Sequence, residues 1–419
     1  DFQPRIGFAY QPYGVGKVVV RGGYGIYFIP EIDNAYFTMG EGNQAQAGAS
    51  LTENPGTTGT TPALKLPNLI FTNPFPGVTT GGPSTFPFAN AIDQHLQDQM
   101  TQEYNLAVQT QFPDKITAEI GYVGARGTHN FTSTTVNIPY PINPASTTLS
   151  VNARRPNQNF LRNVSADFSN GSSSYNSLQT KLQRQVGQGL NLLVSYTWSK
   201  SISGPGDIGG IVGGGNFGAG PLDPYHPRTD RSLSVFDIPH RFVGTALYDI
   251  PFFRGSTGVK KLLLDGFQVS TILSVVSGDP SNVTDTAQTT ATGIASRPDR
   301  VFSQQVSLGR SGRTALKQFN TAAFTVAQPG EFGTSARTGA VRLPGLINDD
   351  FSATKGFKFG EERNLQLRAD FFNAFKHYNP DPSTIGLARN NSGTFGKINN
   401  GISGGFATRV IQLGAKFYF

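Results

Sequence analysis

Gln412-Leu-Gly-Ala-Lys-Phe-Tyr-Phe419 closes the chain, and its pattern sets the architecture. With Ile411 in front, Ile411, Leu413, Ala415, Phe417 and Phe419 fall on one face of an extended strand, and Gln412, Gly414, Lys416 and Tyr418 on the other. This is period-two alternation carried to an aromatic residue at the C-terminus. A frayed terminus in water gains nothing from three aromatics. Two structures accept such an ending: an edge strand of a soluble sheet, or the closing strand of a transmembrane barrel with aromatics at the membrane interface.

Composition narrows the choice. The 419 residues are 37% hydrophobic and 15% charged, with 50 Gly, 32 Phe, 14 Tyr and no Cys. No stretch approaches the roughly eighteen apolar residues of a membrane helix. A wall whose residues alternate between lipid and a wet lumen needs no such run. High Gly, Phe and Tyr with few helix formers predicts an all-β chain with large loops. A chain free of Cys also suits passage through an oxidising compartment. The net charge of +7 comes from scattered residues without a basic run, which argues against nucleic acid. Residue 1 leads straight into the strand-like Phe2-Gln-Pro-Arg-Ile-Gly-Phe-Ala-Tyr10, so the protein is expected to begin upstream.

Alternation predicts about eleven strands, at 3–12, 17–28, 101–112, 115–125, 174–186, 189–201, 240–250, 265–277, 350–359, 363–375 and 408–419. In the third, Tyr104, Leu106, Val108, Thr110 and Phe112 oppose Asn105, Ala107, Gln109 and Gln111. In the sixth, Leu190, Leu192, Val194, Tyr196 and Trp198 oppose Asn191, Ser195, Thr197 and Ser199. The ninth is less clean, with Lys355 on its apolar face. Connections alternate short and long. The long ones, at 29–100, 126–173, 202–239, 278–349 and 376–407, exceed ordinary loop lengths. Transmembrane barrels have this asymmetry, with tight periplasmic turns on one rim and large extracellular loops on the other, whereas a soluble sandwich mixes lengths at both ends. The fold class expected is a transmembrane antiparallel up-and-down β-barrel.

Direction follows. If Phe419 lies at the periplasmic rim, every long loop falls outside and the first strand begins outside too. Closed bacterial barrels have even strand numbers. An odd count starting outside implies at least one more strand upstream, because open edges are costly in lipid.

Further landmarks make a resemblance specific. Pro4-Arg-Ile-Gly-Phe-Ala-Tyr-Gln-Pro12 and Val20-Arg-Gly-Gly-Tyr-Gly-Ile-Tyr-Phe28 resemble the Oar-like group of TonB-dependent outer-membrane receptors. So do Tyr175-Asn-Ser-Leu-Gln179, Ser195-Tyr-Thr-Trp-Ser-Lys200, Asp237-Ile-Pro-His-Arg-Phe242, Phe319-Asn-Thr-Ala-Ala-Phe324 and Arg368-Ala-Asp-Phe-Phe-Asn-Ala-Phe375. Gln412, Gly414, Phe417 and Phe419 are similar to the barrel-assembly signal of bacterial outer-membrane proteins, which implies the barrel-assembly machinery as a partner. The resemblance implies a barrel of about twenty-two strands around a plug. Residues 1–419 would be its C-terminal part, with the plug, its TonB-binding segment and the regulatory-like domain that often precedes them lacking a counterpart here.

Strand direction places Tyr24, Tyr27, Phe28, Tyr104, Tyr122, Tyr196, Trp198, Phe371 and Phe375 toward the outer rim. Phe112, Phe252, Phe253, Phe357, Phe359, Phe417 and Phe419 fall toward the inner one. Tyr24, Tyr122, Tyr196, Trp198 and Phe371 are the core of the expected aromatic girdle, since amphipathic rings favour both interfaces. Arg21, Glu119, Lys181, Arg184, Arg368, Asp370 and Lys416 are expected in the lumen. The loops 29–100 and 278–349 are the expected ligand-binding regions, their contacting residues unknown.

No catalytic constellation, metal site or cofactor motif emerges. Gly204 to Gly220 lacks the Gly-Lys-Ser/Thr of a phosphate loop. His95, His129, His226, His240 and His377 show no ligand spacing. The stretch Asp230-Arg231 to Asp237 between two of them reads as an ion-pair network at a loop base. Asp349-Asp350 lacks the partners of an acid/base dyad. The leading reading is a non-enzymatic receptor moving a large or scarce solute, energised through TonB by way of the plug region. A surface adhesin and a passive porin remain the alternatives.

Overall fold

The computed structural model describes residues 2–12, 17–30, 90–143, 148–158, 163–185, 189–205, 218–219, 221–287, 289–294, 296–359, 363–399 and 408–419. The strand-period segments pair in sequence order into one antiparallel sheet whose path has eleven long strands. These are β1 (Arg5–Tyr10), β2 (Val18–Ile29), β3 (Gln99–Phe112), β4 (Ile116–Val136), β5 (Val164–Gln185), β6 (Leu190–Ser203), β7 (His240–Asp249), β8 (Phe267–Val276), β9 (Leu346–Phe359), β10 (Arg363–Phe372) and β11 (Val410–Tyr418). The up-and-down order is the one the alternation predicts. Among the described residues the sheet is open: β1 and β11 are its two edges, and no pairing joins them.

Short connections lie on one rim. A 3-10 turn at Pro113–Lys115 joins β3 to β4, with Lys115 left-handed at φ 55°. A short helix, α1 (Gly258–Leu264), joins β7 to β8. Short turns at Tyr13-Gly-Val-Gly16, Gly187-Gln-Gly189 and Gly360-Glu-Glu362 are also expected from the sequence, and they lie wholly or mostly outside the described residues. At the last residue of the second, Gly189 has φ 92°, and an added Cβ would lie 2.7 Å from the Asp249 carbonyl oxygen.

Register carries one apolar face around the sheet. Tyr24 pairs with Tyr104, Leu106 with Tyr122, and Tyr122 with Leu178. Leu178 then pairs with Trp198, Tyr196 with Phe242, Phe351 with Phe371, and Phe371 with Ile411. The opposite face carries Asn105, Glu119, Lys181, Ser195, Arg368 and Lys416 in the same registers. An open wall buries little. All six residues of β1 and all nine of β11 are exposed. The apolar face is the one a bilayer would cover.

Four sequence expectations change. β4 and β5 run to Val136 and back from Val164, so the connection expected at 126–173 shrinks to residues 137–163. The added part, Phe131-Thr-Ser-Thr-Thr-Val136, has only one apolar residue on each face, yet Phe131, Thr132 and Thr134 are buried. Two register shifts, between Thr128/Asn130 and Asn130/Thr132, mark where it begins. β9 starts at Leu346 rather than 350. Tyr27 does not share the girdle face: it is odd where Tyr24 and Phe28 are even, and its ring lies 4.6 Å from the Arg5 guanidinium on the polar face. Arg184 does not face the lumen. It pairs with Ile116 and Leu192, three residues from Lys181 and so on the other side of the pleat.

Lys355 keeps its place on the apolar face. It is buried, its ammonium lying 4.8 Å from the Phe267 ring centre and 4.9 Å from that of Phe357. Its Nζ donates to the Asp265 carbonyl at the inner rim. A long stem on the apolar face with its charge carried to the rim is a snorkelling lysine.

Candidate functional site

The largest described connection, 277–345, folds over the outer rim together with 373–399. Its core is Val283, Phe319, Ala323, Phe324, Val341, Ile385 and Phe395. The three Phe rings meet edge to face, with centroids 5.3–6.3 Å apart. Burying each ring contributes about 1.5–3 kcal/mol. Two short ladders, Pro280–Ser281 with Val341–Arg342 and Asp299–Arg300 with Phe324–Thr325, tie the loop to itself. A bridge from Thr284 to Ala388 and the Arg389–Asp285 ion pair join it to the second loop. The Asp285 carboxyl is held below its ordinary range: burial opposes this, but the Arg389 guanidinium and the Ala287 and Thr286 amides outweigh it.

Buried ion pairs fix this cap to the rim of the wall. Asp230 and Asp237, both fully buried, come from the connection between β6 and β7. Arg297 reaches Asp230 at 2.5 Å, and Arg342 reaches Asp237 at 2.5 Å. Asp237 also accepts from the Ser201 amide at the end of β6 (2.7 Å), and Asp230 from Leu222 N (2.7 Å). Arg337 donates to the Asp230 carbonyl (3.3 Å), Ser203 Oγ (2.8 Å) and the Gly204 carbonyl (3.0 Å). The ion-pair network expected around 230–237 is present. Its cations are Arg297 and Arg342, however, and not the neighbouring Arg231.

The tall hairpin of β4 and β5 leans into the same assembly. Arg155 bridges the Asn137 carbonyl (2.6 Å) and Asn163 Oδ1 (2.7 Å). Arg154 reaches the Ala291 carbonyl of the cap at 2.5 Å. Tyr225 stacks on Tyr140 at 4.8 Å and donates to the Ile138 carbonyl; burial pushes its phenol up to about 12. A cavity of about 550 Å³ lies between hairpin and cap, lined by Ser133, Thr135, Leu222, Asp230, Arg297 and Arg337 among others. Every charge there already has a partner, so a solute entering it would meet hydroxyls, amides and apolar surface.

The residues singled out in the sequence fall as follows. Tyr24, Tyr122, Tyr196, Trp198 and Phe371 share the apolar face. Gln412 and Gly414 face the polar side with Asp370 and Arg368, and Phe417 the apolar side with Leu365. Residues 31–89, most of the first long loop, lie outside the described residues; Asn90–Ile92 pairs in parallel with Ser165–Asp167 of β5. His226 binds Asp223 (2.9 Å) and His240 the Tyr196 hydroxyl (2.8 Å), so the two histidines serve different contacts. Asp349 and Asp350 point to opposite faces, accepting from Thr271 Oγ1 (2.9 Å) and the Asn373 amide (3.0 Å). Among the described residues no group of three His or acidic side chains could hold a metal.

The family model described as "Outer membrane beta barrel domain" matches residues 1–412. No curated protein matches the chain. Among solved structures, the chain is similar to the ferripyoverdine receptor of the outer membrane of Pseudomonas aeruginosa, at 9% identity and TM-score 0.44, covering 99% of this chain and 32% of that one. It is similar to the outer membrane transporter YddB from Escherichia coli, at 9% identity and TM-score 0.43, covering 96% and 38%. The FrpB iron transporter from Neisseria meningitidis gives 11% identity and TM-score 0.43, covering 99% and 39%. The chain spans about a third of the length of the solved structures it matches.

Proposed function

The chain belongs to the outer membrane β-barrel domain family, a family of bacterial outer-membrane proteins and not of enzymes, and from that premise we propose that it forms part of the wall and the extracellular cap of a solute receptor. The observation that carries the reading is the cap itself. A passive pore needs an unobstructed mouth, whereas here two long connections are packed on their own core and stapled over the rim by buried ion pairs. A receptor needs such a preformed surface to recognise a large or scarce solute before transport.

The motifs shared with the Oar-like group of TonB-dependent receptors support energised transport through a plug held inside the barrel. Residues 1–419 are then the C-terminal part of a barrel of about twenty-two strands. Strand geometry supports this. β1 and β11 run in the same direction, so joining them would need a parallel pair, which up-and-down barrels of this kind lack. Two open edges in lipid would leave rows of unpaired backbone groups, each costing several kcal/mol. Pairing of both edges with strands outside these residues would satisfy those groups. Binding of the full-length protein to the periplasmic domain of TonB tests the reading. Co-purification that survives in detergent is the expected outcome, and a full-length protein without a plug or a TonB-binding segment would refute energised transport.

A further inference from the structure

A second cavity, of about 590 Å³, opens where the cap meets the outer ends of β7, β8 and β9. His240, Val275 and Ile347 bring the apolar face of the wall up to its floor, and Arg310, Arg313 and Arg342 line it from the cap. No carboxylate lines it. Arg342 is neutralised by Asp237. Arg310 and Arg313 have no acidic partner among the described residues, and Arg313 Nε is buried without a hydrogen bond. Arg313 Nη2 donates to the Arg342 carbonyl (3.0 Å), and burial lowers the Arg313 pKa.

Position tells which anion. His240 pairs with Trp198 and bonds the Tyr196 hydroxyl, so the cavity adjoins the outer aromatic row of the apolar face. Trp198 is 57% exposed and Phe375, beyond β10, is 75% exposed on the same rim. A molecule in this cavity has apolar wall below it and guanidinium groups above. We propose that it binds the phosphate-bearing head group of an outer-leaflet lipid, a phosphate lying against Arg310 and Arg313 and the first carbons of the tails against Val275 and Ile347. Forked guanidinium donors match phosphate oxygens, and the interface is where an amphiphile presents a phosphate at this height. The inference rests on membrane placement and does not depend on what the receptor transports.

The test compares wild-type full-length protein with Arg310→Gln/Arg313→Gln and Arg310→Lys/Arg313→Lys. Probes are phosphatidylcholine nanodiscs doped with lipid A, plain phosphatidylcholine nanodiscs, and inorganic phosphate as competitor. Wild type is expected to retain lipid A through purification and to bind doped discs, with the Gln pair weaker by about tenfold or more and the Lys pair between them. Heat-modifiable gel migration confirms that each variant is folded. Equal binding by wild type and a folded Gln pair would overturn the proposal. So would displacement of lipid A by inorganic phosphate at equal concentration, which would assign the cavity to a soluble anion. If the Gln pair does not fold, wild-type preference for doped over plain discs decides alone: no preference overturns the proposal.

Discussion

The wall and the cap keep their shapes by different means. In the wall, pairing is regular and burial slight: β1 and β11 are exposed along their whole length. Its apolar residues are spread over a surface that only lipid can cover. The cap has almost no regular pairing, but it owns a core of seven buried residues and ion pairs with fully buried carboxylates. The lesson concerns solvent. A strand can leave its apolar face bare when the surroundings are hydrocarbon, whereas a loop standing in water has to bury its own.

The largest effect expected from this contrast is on the wall. Refolded alone in detergent, residues 1–419 should fail to give the heat-modifiable gel band of a closed barrel, while proteolysis still yields a resistant fragment from the cap. A stable heat-modifiable band would break the distinction. Next, Phe395→Ala removes one of three interlocked rings and should destabilise the cap by about 3–5 kcal/mol. Limited proteolysis within 280–342 would then accelerate, and barrel migration would stay unchanged. Loss of the barrel as well would mean that the two regions fold as one.

Asp237→Ala should cost the cap about 3 kcal/mol, because it removes the carboxylate that Arg342 and the Ser201 amide share and leaves Arg342 only the Asp237 and Gly278 carbonyls. Protease sensitivity at the β6–β7 connection reads this out. A pH effect comes next. The depressed Asp285 carboxyl stabilises the folded cap fully above its unfolded value of 3.8, and that contribution disappears as pH falls through the lower folded value. Cap protection should therefore drop below about pH 4, and Arg389→Gln should flatten the drop. The smallest effect belongs to Gly189→Ala, about 1–2 kcal/mol from a left-handed backbone, seen as a lower unfolding temperature of the barrel with the cap unaffected.

The difference also explains what could be read in advance. The wall was legible strand by strand because period two is local: Leu190 to Trp198 states its two faces within nine residues. The cap was not, because its contacts join residues far apart, such as Asp237 with Arg342 and Phe319 with Phe395, at spacings that follow no period. Asp230 and Asp237 stood out in the sequence, but nothing local pointed to their arginines. The tall end of the β4–β5 hairpin was not legible because Phe131-Thr-Ser-Thr-Thr-Val136 carries no apolar stripe, its burial coming from distant segments instead. Tyr27 and Arg184 follow the parity of their neighbours and not their own chemistry, Tyr27 lying on the polar face and Arg184 on the apolar one.

Lys355 has a consequence for the membrane itself. On the apolar face of β9, Asp349 and Lys355 leave only Phe351 and Ala353 between them. Six residues of strand span about 20 Å. The apolar band of such walls is about 25 Å tall. Neither group meets lipid as a bare charge: Asp349 is buried and accepts from Thr271 Oγ1, and Lys355 is buried with its ammonium on the Asp265 carbonyl. The side of the wall around β9 thus holds its two ionisable groups apart by pairing each with the protein before the hydrocarbon can meet it.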